Sequence, residues 1–441
     1  MRFAEAGIRD AILHPDPDIR DRALAYFTRP GTQDSSLMPL VIQAVETFGR
    51  ETQGYRLIGA ARSLPQTEET LAWVIQELNA EATGNYENYA YNLTTLLIET
   101  NANLLLPHQN TILQARYFSD HAEALLIERL QMLSWDFATC WQKFEEFGED
   151  TKAQLSAKGV RLDYAELLVE ALARFGSQCE EKLIPLLAQT VTNESCDPLM
   201  WLEPLTVQLA GRTKLSSAIP FIISKLMADS SDVLNEDCAE ALMKIGTPAV
   251  LEAVASAFPT ASDHFRIYAD GALANIHTDL AVEKCVQLLA RETDHAIRRN
   301  LASALLCQFA SEGIEAARQL LLGRELDFSD TSLLHELLAT CIITGWRFPE
   351  YDQWLADATA RRAKHRQTME ALQDNPRGMV IYALKTILGP NATPVPAKKP
   401  TQQPPPRIIL PPKPVTKSHT GRNDPCPCKS GKKFKNCCMR K

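Results

Sequence analysis

The sequence predicts an all-α protein in which helical hairpins stack into a superhelix, followed by a proline-rich linker and a small cysteine-rich module. Apolar residues recur at helical spacing from residue 3 to about residue 388, with almost no β-type alternation. Ten prolines then fall within residues 389–420, and four cysteines lie within thirteen residues near the C-terminus. We therefore divide the chain into residues 1–388, 389–420 and 421–441.

The charge is divided in the same way. The 441 residues are too many for one compact core, and the net charge of −8 is an average over two unlike parts. Residues 397–441, the basic tail, carry twelve Lys or Arg residues against Asp424, a net charge of +11, which leaves −19 on the other 396 residues. The repeat region as a whole therefore disfavours nucleic acid, whereas the basic tail can attract acidic proteins, RNA or anionic lipid.

Internal similarity in the second half of residues 1–388 indicates that this region is built from repeats. Three Ala-rich helices align through Ala241, Ala272 and Ala304, at intervals of 31 and 32 residues, and a second apolar helix follows each of them. One hairpin of this length cannot bury its apolar face alone, so neighbouring hairpins must stack. The clearest repeats span about residues 165–325.

The turns that precede the repeats resemble those of the HEAT family. An acidic turn leads into an Arg and an Ala-rich helix at Asp16–Arg20, Asp263–Arg266 and Asp294–Arg298. The resemblance covers residues 8–28 and about 165–325, and it implies an α-α superhelix. We expect these Asp and Arg residues to cap helices and to join adjacent repeats.

The linker, residues 389–420, has too many prolines to form a core of its own. A polyproline-type chain rises about 3.1 Å per residue, so this segment could reach on the order of 100 Å. It contains an apolar island, residues 407–410, flanked by prolines. We interpret the segment as a spacer; the alternative is that the island docks in the groove of a partner.

The four C-terminal cysteines predict a structural zinc site. They are Cys426, Cys428, Cys437 and Cys438. A segment this short cannot build an apolar core, and four thiolates around one Zn²⁺ would fold it, with nearby lysines offsetting the negative charge. The seven other cysteines are scattered among Leu and Ala, and we expect them to be buried small apolar residues.

The same segment closely resembles the SEC-C motif, the zinc-binding module at the C-terminus of the translocation ATPase SecA. The sequences GRNDPCPC and SGKKFKNCC, within Gly421–Cys438, carry this resemblance. Lys429 stands where the family usually has Gly, and Cys438 where SecA has His. The resemblance implies a recognition module that docks to the SecB chaperone or the ribosome, with weaker contact to nucleic acid or anionic lipid. The implied contact residues are Arg422, Lys432, Lys433, Phe434 and Lys435.

These observations together predict a non-enzymatic adaptor, in which the repeats bind one protein and the zinc module another. The chain has no GxxxxGK[ST] phosphate loop and no convergent acid, base or nucleophile in its repeats. Two alternatives stay open. Some proteins with similar HEAT-like repeats are bilin lyases, and a basic stretch at residues 361–366 is compatible with nucleic-acid binding by the repeats.

The localisation follows from what the sequence lacks. The first residues are charged and contain no apolar run typical of a secretory signal, and no stretch approaches the roughly 20 apolar residues of a membrane helix. We expect a cytoplasmic bacterial protein with no transmembrane segment.

Overall fold

The all-α class is confirmed. The computed structural model describes residues 1–29, 31–50, 54–80, 86–154, 156–189, 191, 199–322 and 327–372. Within them the regular structure is helical, apart from one isolated antiparallel bridge between Arg2 and Ala310. None of the helices in these ranges has the length and apolar character needed to cross a bilayer. The boundary predicted at residue 388 and the linker lie outside the described residues.

The chain divides into two compact units, Met1–Lys364 and His365–Lys441. We call the first unit the helical body. Of the second, the structure describes residues 365–372, which are helical.

The first half of the helical body consists of short and medium helices. They are α1 (Glu5–Asp10), α2 (Pro17–Thr28), α3 (Leu37–Phe48), α4 (Tyr55–Ala60), α5 (Glu68–Asn79), α6 (Glu87–Glu99), α7 (Ala102–Leu105), α8 (Gln109–Leu113), α9 (Asp120–Met132) and α10 (Phe137–Thr151).

The second half is more regular. It contains α11 (Leu162–Ala173), α12 (Glu180–Leu187), α13 (Leu199–Arg212), α14 (Ile219–Ala228), α15 (Asp232–Ile245), α16 (Pro248–Ala257), α17 (Asp263–Asn275), α18 (Asp279–Leu289), α19 (His295–Cys307), α20 (Ser311–Leu321) and α21 (Phe328–Thr344). Helix α22 (Tyr351–Leu372) follows and extends past the boundary between the two units.

Side-chain caps explain where many of these helices begin. Asp16 accepts a hydrogen bond from the backbone N–H of Asp18 at 2.9 Å, and Asp294 accepts two, from Ala296 at 2.9 Å and Ile297 at 3.0 Å. In the remaining acidic turn, at Asp263–Arg266, the cap is Ser262, one residue before the expected Asp263. The capping role predicted for the acidic turns therefore holds at two of the three positions.

The aligned alanines lie where neighbouring helices touch. Ala241, Ala272 and Ala304 are at most 2% exposed, and they belong to α15, α17 and α19, which contact one another in sequence. The approach is very close between α13 and α15, where a Cβ on Gly211 would lie 2.7 Å from the Cα of Ala241. Glycine is required there because any side chain would strike the backbone of the next repeat.

Ten helices of the body form a closed series of contacts. Each helix in the order α2, α4, α6, α9, α11, α13, α15, α17, α19 and α21 contacts the next, and α21 contacts α2. One apolar cluster joins the two ends of this series, because Phe309 and Ala339 are buried together with Ile8 and Leu24 of the first helices. The first and last repeats are therefore packed against each other.

Candidate functional site

The predicted zinc ligands and docking residues lie outside the described residues. This applies to Cys426, Cys428, Cys437 and Cys438, and to Arg422, Lys432, Lys433, Phe434 and Lys435. The zinc site and the docking surface thus stay predictions from the sequence.

The cysteines of the helical body are mostly buried and are not grouped like the four predicted zinc ligands. Cys140, Cys179, Cys238, Cys285 and Cys341 are buried free thiols, as expected, whereas Cys307 is partly exposed and Cys196 lies outside the described residues. Burial raises the pKa of Cys238 to about 12 and that of Cys179 to about 11. A thiol must be deprotonated to bind metal, so these groups are apolar packing elements at neutral pH. Within the described ranges no group of His, Cys, Asp and Glu side chains is arranged to hold a metal ion.

Several ionisable groups inside the body pair with one another between packed helices. Arg129 of α9 donates to both carboxylate oxygens of Glu170 on α11, at 2.8 and 2.5 Å, and to the carbonyl oxygen of Thr100 at 2.8 Å. Lys225 of α14 forms a 2.6 Å ion pair with Glu203 of α13. These pairs satisfy charges between packed helices and indicate a structural role.

The arginines of the HEAT-like turns follow two patterns. Arg20 is 1% exposed and donates to the carbonyl oxygens of His14 and Pro15, so it closes its own turn. Arg266 instead forms a 2.8 Å ion pair with Glu292, which lies in the turn between α18 and α19. The second arginine therefore ties its helix to the turn that leads into the next hairpin, whereas the first acts within its own turn.

The basic stretch at residues 361–366 also makes an internal contact. The guanidinium group of Arg362 lies 3.2 Å from Asp16 and 3.3 Å from Asp18, at the start of α2. At least one of its positive charges is therefore offset by the helical body, which weakens the case for a nucleic-acid surface.

A set of contacts that the sequence did not predict lies where the series of helices closes. We call this place the closure seam; it comprises residues 1–3 and α2 on one side and residues 273–277 and 307–310 on the other. Arg2 donates to the carbonyl oxygen of His277 at 2.9 Å and to the hydroxyl of Tyr26. The backbone N–H of Phe3 donates to the carbonyl oxygen of Phe309 at 2.8 Å.

Aromatic rings reinforce the closure seam. The rings of Tyr26 and His277 are stacked with centroids 3.9 Å apart and planes 7° apart, and Phe309 packs edge-on against Tyr26. Phe309 has a φ of 48°, a left-handed conformation that is costly for a bulky residue. Such strain persists only where the surroundings fix it, and it is concentrated at functional sites.

A cavity of about 210 Å³ opens at the closure seam. Its walls include Asp21, Arg22 and Tyr26 of α2, Arg29 directly after α2, Asn275 at the end of α17, His277 after it, and Phe309 after α19. Sequence reasoning missed this group because its members are up to about 290 residues apart in the chain. The one available signal was the spacing of Arg22 and Arg29, seven residues apart and so on one face of α2.

Comparison with known families identifies one segment. The family model of the SEC-C motif matches residues 422–440, which contain all four predicted zinc ligands. The match covers a small part of the chain and does not include the helical body. No solved structure matches the chain.

Proposed function

We propose that the protein is a non-enzymatic adaptor, in which the helical repeats bind one protein and the C-terminal module docks to another. The observation that carries this proposal is the SEC-C match at residues 422–440. In proteins of that kind the motif serves recognition, and here it follows a segment rich in proline. Two binding sites on one tether gain effective concentration without new contacts.

The donor set of the motif suits zinc. Four cysteine thiolates are the ligand set of a closed, tetrahedral structural site, and Cys426, Cys428, Cys437 and Cys438 would supply it. When bound, the metal would provide the folding energy that this short segment cannot obtain from apolar burial. The surrounding lysines would favour the thiolate form of the ligands.

The docking surface would be basic with one aromatic residue. Arg422, Lys432, Lys433, Phe434 and Lys435 would form it. Such a surface suits an acidic protein such as the SecB chaperone, or a site on the ribosome. Because the attraction is electrostatic, binding should weaken steeply as salt rises.

The repeats would bind the second protein. We propose that they form a HEAT-like superhelix whose first and last repeats meet, and that its partner is a protein. The charge of −19 outside the basic tail argues against a nucleic-acid partner for the repeats. The structural pairing of Arg129 with Glu170, and of Lys225 with Glu203, supports a scaffold role for these charges.

A charge-matched pair of variants tests the docking role. Lys432→Glu/Lys433→Glu changes the proposed surface, and Lys398→Glu/Lys399→Glu makes the same charge change in the linker. We expect the first variant to lose binding to purified SecB or cosedimentation with ribosomes at least tenfold, and the second to lose much less. Equal losses would show that only net charge matters, and binding that survives deletion of residues 415–441 would refute the docking role.

A further inference from the structure

The cavity at the closure seam has the size of a small-ligand site. Its volume of about 210 Å³ corresponds to roughly seven water molecules at ~30 Å³ each. It lies between α2 and the residues that follow α17 and α19, so a molecule inside it would contact both sides of the closure seam.

Arg22 lines this cavity and has buried hydrogen-bond donors without a partner. Its Nη1 lies 3.8 Å from Glu336, but its Nε and Nη2 are buried and have no hydrogen-bond partner. A buried donor without a partner is costly. The N–H groups of Nε and Nη2 lie on the same edge of the guanidinium plane, and this edge binds a carboxylate or phosphate through two parallel hydrogen bonds.

Arg29 adds a second positive charge at the rim. It is exposed at the end of α2, and within the described residues its side chain forms no ion pair. Asp21 also lines the cavity, but it is already paired with Arg56. Arg22 and Arg29 therefore leave the lining residues with a net positive charge, although Arg22 lies 3.8 Å from Glu336.

Helix C-termini lie around the cavity, and by themselves they would disfavour an anion. Helix C-termini carry partial negative charge and oppose an anion. Here the last carbonyl oxygens of α17 are occupied, because the side-chain amide of Gln308 donates to Leu273 at 2.7 Å and to Ile276 at 2.9 Å. Arg2 likewise occupies the carbonyl oxygen of His277.

His277 supplies a hydrogen-bond acceptor. Burial, and then the nearby Arg2, lower the pKa of its imidazole to about 3, so the ring is neutral near pH 7. The ring makes a hydrogen bond to the backbone of Ala274, whereas its Nε2 is buried without a partner. The bond to Ala274 therefore uses Nδ1 as the donor, and Nε2 is left to accept a hydrogen bond.

We propose that this cavity binds a small oxyanion that also carries a hydroxyl group, of the hydrogenphosphate or hydroxycarboxylate class. Arg22 holds the oxyanion with two hydrogen bonds, Arg29 covers it at the rim, and Nε2 of His277 accepts a hydrogen bond from its hydroxyl group. Because the ligand touches α2 and the residues after α17 at once, its binding stabilises the closure seam.

Inorganic phosphate and sulfate are the sharpest pair of probes, since near pH 7.5 both are small tetrahedral dianions and only phosphate keeps an O–H group. We expect phosphate to bind the full-length protein about tenfold more tightly than sulfate in calorimetry at matched ionic strength, the value of about one good hydrogen bond. Malate against succinate makes the same comparison for hydroxycarboxylates and shows which source is preferred.

Hydrogen–deuterium exchange separates this site from the basic tail. We expect phosphate to slow exchange in the last turn of α2 and at residues 274–277, in the wild type and in the control Arg161→Lys, which changes an exposed arginine at the start of α11. In Arg22→Lys, which keeps the charge but lacks the planar fork, phosphate affinity should fall about tenfold. His277→Phe keeps the stacked ring and should bring phosphate down to the affinity of sulfate.

The proposal is overturned if phosphate gives no protection at the closure seam, or if phosphate and sulfate bind equally to the wild type. This last comparison needs no variant, so it stands even if Arg22→Lys fails to fold. Unchanged phosphate affinity in a folded Arg22→Lys variant would also overturn it.

Discussion

The helical body and the C-terminal module differ in what can hold each of them in one conformation. The body buries Leu, Ile, Val and Ala side chains between successive helices, and its core continues from the first helices to Phe309 and Ala339 of the last. Residues 421–441 contain no Leu, Ile or Val, and Phe434 is their one aromatic residue. Packing therefore supports the body, whereas the predicted zinc module would depend on its four cysteines. The two regions should respond to different perturbations.

We expect the largest difference between the helical body and the C-terminal module when the proposed zinc ligands are removed. Structural zinc sites of this kind contribute about 10–16 kcal/mol in small domains near neutral pH, so Cys437→Ser/Cys438→Ser should abolish metal binding. We expect about one zinc per chain in the wild type, measured by mass spectrometry of the metal content, and none in the variant. Helicity and melting of the body should not change.

The matched control for the zinc experiment is Cys307→Ser, which changes a partly exposed cysteine of the body. This variant should keep its zinc. Freshly purified wild-type protein without zinc would contradict the assignment of the site.

Breaking a buried ion pair should harm the body alone. The side chain of Arg129 is 4% exposed, so Arg129→Met leaves Glu170 without its partner between α9 and α11. We expect a loss of about 3 kcal/mol in the free energy of unfolding, measured by urea denaturation, with the zinc content unchanged. Lys143→Met, which breaks an exposed pair with Glu146, should lower the free energy of unfolding far less. Equal effects of the two variants would contradict this account.

The body should also show a pH dependence that originates in Asp270. Burial, reinforced by the nearby Glu336, raises the pKa of this carboxyl to about 7, against 3.8 in the unfolded chain. Between these two values folding takes up a proton, so this group makes the body less stable as the pH rises from about 4 to about 7. The stabilisation that this group gives is fully present below about pH 4 and is lost above about pH 7.

Asp270→Asn removes that titration. Because Asp270 keeps some accessible surface, we expect the variant to be about 2 kcal/mol more stable than the wild type at pH 8 and nearly equal to it at pH 4, in denaturation curves across that range. Asp352→Asn, at an exposed position of α22, is the control and should change stability by less than about 0.5 kcal/mol throughout. A difference independent of pH would rule out the titration of Asp270.

Two glycines give the finest test of packing between repeats. Gly211→Ala would bring a Cβ to 2.7 Å from Ala241, and we expect it to cost about 1 to 2 kcal/mol, because the backbone of α15 must move. Gly271→Ala meets nothing within 4 Å and should stabilise α17 by up to about 1 kcal/mol, through its better helix propensity. The two melting temperatures should shift in opposite directions; a shift in the same direction would show that the close approach is not limiting.

The sequence predicted the features that local patterns encode. Helical periodicity predicted the all-α class, the acidic turns predicted the caps at Asp16 and Asp294, and the aligned Ala-rich helices predicted stacking, with which the contacts of α15, α17 and α19 are consistent. Four cysteines at close spacing predicted a SEC-C motif that the family comparison supports. In each case the signal lies within a few turns of the chain.

What could not be predicted depends on residues far apart. Nothing local in α2 indicates that Tyr26 stacks on His277, or that Arg22 faces the end of α17. Those contacts depend on how the whole series of helices packs, which no single stretch of sequence encodes. The pairing of Arg129 with Glu170 was missed for the same reason, since neither residue belongs to a motif.

The contact between α21 and α2 has a consequence for how such a protein can change during evolution. An open array of repeats can gain or lose a hairpin at either end, because each unit needs only its neighbours. In the helical body an inserted or deleted hairpin would separate α21 from α2 and expose the core on both sides. The number of hairpins is thus fixed by geometry, and new length can be accommodated only in the loops or beyond α22.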